Sequence, residues 1–193
     1  AIPPTSTRCS DQEIVAYFRA IIGQTSRPVI VQDASGYLGH AIPIMVQAAL
    51  WREFPDRILF KPEAQPIGAN ISALRNATDG HAKIFDGTGG ITLVGNYNRG
   101  ITGTIPGSDL AWAIVALWRA LQNKDENRIR AIQGPLTSII ALQTNLDAFL
   151  AVEKMLLVEQ GIFSDLRTRG PVGYVLDEET RHLQEKLLLG YTA

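Results

Sequence analysis

Residues 57–68 read RILFKPEAQPIG: three apolar strand-formers, Ile58, Leu59 and Phe60, deliver a lysine, and Pro62 directly after it closes the strand. A short run that is apolar on both faces fits a strand buried between two layers. Such a strand needs neighbours of its own kind. Lysine is rarely buried without a partner or a use, so Lys61 is also the first functional question in the chain.

Working outward, similar units lie on either side. Pro28 opens PVIVQD, a strand rich in β-branched residues, and a helix follows over 42–54 and leads into ILFK. After it come the helix SALRNAT, ended by Asp79-Gly80, the strand AKIFD and a helix over 91–99. The strand ITGTI and a helix over 110–121 complete the series. Before all of these, Ser10 with Glu13 forms a capping box for a helix over 11–23, whose Ile14, Phe18, Ile21 and Ile22 share one face. The alternation predicts an α/β protein with a parallel sheet covered by helices, either an open doubly wound sheet or a closed (β/α) barrel.

The tail is helical from about 126 to 159, with a break expected near Gly134-Pro135. A last helix follows Asp177, whose Asp-Glu-Glu start suits the positive end of a helix dipole. Ser164 to Gly173 reads as linker. We expect a partial (β/α) barrel over 1–122 and a C-terminal helical region packed on it over 123–193. Four strands, with the fragment AIPP as a further candidate, fall short of the eight strands and roughly 250 residues of a full barrel. The chain therefore reads as the later part of one, and open sheet edges would call for a partner.

Composition narrows the classes. The 193 residues are 46% hydrophobic and 19% charged, with a formal net charge of -1, so no basic field calls for nucleic acid or an anionic membrane. The single cysteine, Cys9, has no partner for an internal disulfide, which fits a reducing, cytoplasmic compartment. No apolar run reaches membrane-spanning length, and the first residues lack the regions of a signal peptide. His40, His81 and His182 are scattered away from ligand spacing, so no metal is expected, and no cofactor motif appears. Trp51, Trp112 and Trp118 fall in helical patterns and read as packing residues.

Taken alone, Lys61 has two readings. It snorkels to solvent from the strand end and pairs with Glu63, or it points into a barrel mouth and attacks a carbonyl. IFDGTGGI, residues 84–91, is a strand-to-helix turn whose glycines serve turn geometry or a ligand's close approach. In GTIPGSD, Ser108 or Asp109 reads as an N-cap, while Thr104 could reach a ligand hydroxyl. Gln32 and Asp33 close the first strand, with Asp33 a polar cap, a general base or a ligand-orienting carboxylate.

The order PVIVQDASGYLG, ILFKPEAQPIG, AKIFDGTGGI, RGITGTIPG resembles the dihydrodipicolinate synthase and N-acetylneuraminate lyase superfamily from its fourth barrel strand onward. These are (β/α)8 TIM-barrel class I aldolases and lyases that form a Schiff base. The resemblance implies Lys61 as the Schiff-base lysine and Gly87, Thr104, Gln32 and Asp33 as substrate-binding positions. It further implies a 2-oxo acid substrate such as pyruvate, a homo-oligomer and no cofactor. Gln32 stands where most members have a proton-shuttling tyrosine, and Tyr37 where the synthase branch has an arginine. Gln32 cannot act as a general acid or base at neutral pH. With the family's first three strand and helix units outside this sequence, weak or absent turnover is expected of the chain by itself, the alternative being a non-catalytic or truncated barrel with a binding or assembly role.

Overall fold

A computed structural model describes residues 1–4, 7–34 and 40–192, without the side chains of 184 and 187–192. Tyr37, with the rest of residues 35–39, lies outside the described residues. The chain divides into two compact units, one of residues 1–88 and 92–105, the other of 89–91 and 106–193.

The first unit alternates as the sequence predicts: α1 (Asp11–Gly23), β1 (Val29–Asp33), α2 (Ile44–Glu53), β2 (Ile58–Pro62), α3 (Ile67–Ala77), β3 (Lys83–Asp86), α4 (Leu93–Asn98) and β4 (Gly103–Thr104). All strand pairs are parallel and the spatial order is β1-β2-β3-β4. That order separates the two candidate architectures. A doubly wound sheet reverses its strand order at a switch point, whereas a barrel adds each strand beside the last. This sheet does the latter, so the fold is part of a (β/α)8 barrel followed by helices.

The sheet also continues beyond β1. The Ala1 nitrogen donates to the Ile30 carbonyl at 2.6 Å, and the Gln32 amide donates to the Ala1 carbonyl at 2.9 Å. Those bonds make Ala1 a parallel neighbour of β1 on the side away from β2.

Strand alternation sorts the side chains into two faces. Val31, Phe60 and Ile84 sit in register at 0–1% exposure and pack under the helices with Leu50, Ile71, Leu74 and Leu93. Gln32, Lys61 and Phe85 stand on the opposite face and are half-buried. Burial of a large aliphatic or aromatic side chain stabilises by about 1.5–3 kcal/mol, so the helix-side layer supplies the unit's cohesion. The other face is left free to carry polar groups.

Helix ends depart from the periodicity in instructive ways. α2 starts at Ile44 instead of 42, because Pro43 is the extended N-cap and the Ile42 carbonyl accepts the Gln47 side-chain amide at 2.8 Å. α3 begins at Ile67, well before SALRNAT, and takes in Gly68. A Cβ on Gly68 would lie 2.9 Å from Arg99 Nε, so this glycine serves close packing instead of a turn.

The second unit holds α5 (Ala111–Asn123), α6 (Glu126–Ile140), α7 (Leu146–Glu159) and α8 (Glu178–Thr192). The expected break near Gly134-Pro135 does not occur, and α6 runs straight through Pro135. Its Ile129, Ile132, Leu136 and Ile139 form one buried stripe, and Leu136 and Ile139 lie beyond the proline. Burying those two offsets the roughly 3 kcal/mol that an interior proline costs. Asp125 and Asn145 cap α6 and α7 through the amides of Arg128 and Ala148, and Asp177 accepts from the Thr180 amide at 2.7 Å at the start of α8. Among the described residues no helix is long and apolar enough to cross a membrane.

Candidate active site

Parallel register puts Gln32 of β1 beside Lys61 of β2. The ladder runs one step past β2, where the Glu63 amide donates to the Asp33 carbonyl at 3.0 Å. Glu63 therefore keeps strand geometry, and residues two apart on a strand share a face. Its carboxylate meets the Lys61 ammonium, with Lys61 Nζ 2.9 Å from Glu63 Oε1. The Gln32 side-chain amide donates to the other oxygen, Oε2, at 3.1 Å. One carboxylate thus ties two strands together.

The pair is largely withdrawn from water, with side-chain exposures of 16% for Lys61 and 12% for Glu63. The lysine has the partner that the plain reading of the sequence assigns to it, yet its side chain is mostly covered instead of snorkelling out to solvent. Gly87 makes the packing possible, because a Cβ there would lie 2.7 Å from Glu63 Cγ and 3.2 Å from Lys61 Cε. The glycine just past β3 is the wall against which the ion pair rests.

Lys61, Gln32 and Gly87 come together in this way, while Asp33 and Thr104 do not join them. Asp33 is one residue beyond Gln32, so its side chain leaves on the helix side, where it is 2% exposed. The Thr104 hydroxyl lies 3.3 Å from both the carbonyl and Oδ2 of Asp86. Asp86 is fully buried and also accepts from Asn96 Nδ2 at 2.6 Å, from Thr88 Oγ1 at 2.8 Å and from the Thr88 amide at 3.2 Å. This second polar knot braces the turn that carries Gly87.

The pairing of Glu63 with Lys61 is in the sequence reading, whereas its bond to Gln32 and the knot around Asp86 escape it. The spacing of Glu63 already puts it on the same face as Lys61. Asp86 has a weaker signal, an aspartate ahead of Gly-Thr at a strand end, where Asx turns form.

In the second unit the N-cap expectation for Ser108 or Asp109 fails. The residue capping α5 is Leu110, with no side-chain cap bond. Ser108 instead donates through its amide and hydroxyl to Glu153 Oε1, both at 3.0 Å. Asp109, 3% exposed, accepts from Gln143 Nε2 at 2.9 Å, and burial followed by the nearby Glu153 charge pushes its carboxyl above the usual range. Trp112 is 44% exposed, so it packs only in part.

No protein-family model matches the chain, and no curated protein matches it. Solved structures do. A dihydrodipicolinate synthase from Rhodopseudomonas palustris superposes with a TM-score of 0.85 at 24% identity, covering 98% of this chain and 64% of its own. YagE, a prophage protein of the dihydrodipicolinic acid synthase family from E. coli solved with pyruvate, gives 0.82 at 18%, covering 100% and 65%. The chloride-inhibited dihydrodipicolinate synthase from Acinetobacter baumannii, complexed with pyruvate, gives 0.82 at 19%, covering 99% and 64%. The chain thus spans a little under two thirds of the length of these structures. At these identities the likeness speaks to architecture, and the fold of this chain is that of the matching part of the dihydrodipicolinate synthase barrel.

Proposed function

We propose that this chain carries the Schiff-base centre of a lyase or aldolase of the dihydrodipicolinate synthase family, acting on a 2-oxo acid of the pyruvate type. The observation that carries the reading is Lys61 itself. A lysine at the carboxyl end of a barrel strand, on the face away from the helices and mostly shielded from water, stands where barrel enzymes keep their chemistry. Two of the structures sharing this fold hold pyruvate. In the reaction, Lys61 Nζ forms a bond to the keto carbon, the keto oxygen leaves as water, and the iminium withdraws electrons from the neighbouring carbon–carbon bond. Gln32 and Gly87 line the pocket in this reading, with Asp33 and Thr104 bracing it from the helix side. A cytoplasmic homo-oligomer completes the proposal, in keeping with the single cysteine.

An iminium of pyruvate loses a methyl proton to give an enamine, so the methyl group exchanges with solvent deuterium. Proton NMR of pyruvate in deuterium oxide should show loss of the methyl signal with the chain and no loss above background with Lys61→Ala. Equal exchange in both proteins would sink the reading and leave a non-catalytic barrel with a binding or assembly role.

A further inference from the structure

We propose that Glu63 is the proton carrier of the Lys61 centre, accepting a proton from the ammonium and returning it to the departing oxygen. The proposal rests on the Schiff-base reading of Lys61 and adds to it the group that makes the chemistry possible near neutral pH. Attack on a carbonyl needs a neutral amine, so the ammonium must first give up a proton to an acceptor within reach. Glu63 Oε1 is 2.9 Å from Lys61 Nζ, within direct transfer distance, and the carboxylate is itself shielded from solvent. Its other oxygen is held by the Gln32 amide at 3.1 Å, which fixes the carboxylate while leaving Oε1 turned to the lysine. Gln32 can orient but not titrate. The absent side chain of Gly87 leaves the room that Glu63 Cγ occupies.

The steps balance. The ammonium passes one proton to the Glu63 carboxylate, and neutral Nζ adds to the keto carbon while the carbonyl π pair moves to oxygen. The carboxyl returns its proton to that alkoxide and then takes one from the nitrogen, giving a neutral carbinolamine. It protonates the hydroxyl, water leaves, and the nitrogen lone pair forms the iminium. Two of the ammonium's three protons end in the water, one stays on nitrogen, and Glu63 finishes as a carboxylate.

Proton transfer inside the pair draws nothing from solvent, so the rate of adduct formation should change little with pH around neutrality. Without the carboxylate the amine must lose its proton to water or hydroxide, and the rate should rise with pH. The experiment is trapping by saturating cyanoborohydride with pyruvate, timed by peptide mass spectrometry, on wild type, Glu63→Gln, Glu63→Ala and Lys61→Ala, each checked for folding by circular dichroism. We expect both Glu63 variants to be slower by about 100-fold or more near neutral pH. The rising pH profile should appear in both, and added formate should restore rate to Glu63→Ala but not to Lys61→Ala. Wild-type rate and a flat profile in a folded Glu63→Gln would overturn the role of Glu63 while leaving Lys61 as nucleophile. Slower trapping with an unchanged profile and no rescue would overturn it too, reducing Glu63 to a support. No adduct on wild-type Lys61 would remove the Schiff-base reading and Glu63's role together.

Discussion

Gly87 leaves no space for a side chain, and its neighbours are the two groups that matter most. A methyl group at 2.7 Å from Glu63 Cγ would push the carboxylate off Lys61, while the strand ladders on either side stay paired. We therefore expect Gly87→Ala to slow adduct formation by about 100-fold, the scale of a misplacement near 1 Å, with a much smaller change in urea midpoint. A rate equal to wild type in the pyruvate exchange assay would show that the pair tolerates displacement. Asp86 behaves oppositely. Its replacement by alanine strips acceptors from Asn96, Thr88 and Thr104 at a fully buried site, and should cost about 3 kcal/mol or more in urea unfolding. Of these residues Lys61 was legible in the sequence because an apolar run points at it. The contact between Gln32 and Glu63 was not, since it depends on the register between two strands, and one sequence carries no direct record of register.

At the scale of elements, the strands were the easier part to read. VIVQD, ILFKP and KIFD are short apolar runs closed by polar or proline residues, and each forms where it was expected. Helix boundaries went astray where backbone rules of thumb met tertiary packing. Gly68 and Pro135 are both breakers on intrinsic propensity, yet each lies within a helix, one against Arg99 and the other just ahead of the buried Leu136 and Ile139. The cost of Pro135 is still present in the folded chain. Pro135→Ala should raise stability by about 1–3 kcal/mol, the propensity gain less the entropy returned to the unfolded state. Urea titration decides it, and an unchanged or lowered midpoint would mean that the proline ring has packing of its own to lose.

Over the whole molecule, alternation of strands and helices announced an α/β fold but left a doubly wound sheet and a barrel both open. Strand order separates them, and order is a non-local property to which periodicity is blind. The long-range polar contacts were hidden for the same reason, as Asp109 shows. Its carboxyl holds a proton more tightly in the folded chain than in the unfolded one, through burial and then Glu153. A raised folded-state value stabilises at low pH, and that contribution is lost as pH climbs past it. Asp109→Asn, which keeps an acceptor for Gln143, should therefore gain stability over wild type as pH rises from about 4 to 7, the range above an ordinary aspartate value. A constant gap in urea midpoint across that range would contradict it.

The most direct test of the Schiff-base centre is the position of a trapped adduct. The folded chain is incubated with pyruvate, reduced with borohydride and digested, and the peptides are weighed. We expect a single modified residue, Lys61, with the other lysines unmodified and no adduct in Lys61→Ala. Modification spread over exposed lysines with Lys61 untouched, in a chain shown to be folded, would contradict the assignment and leave the fold without this chemistry.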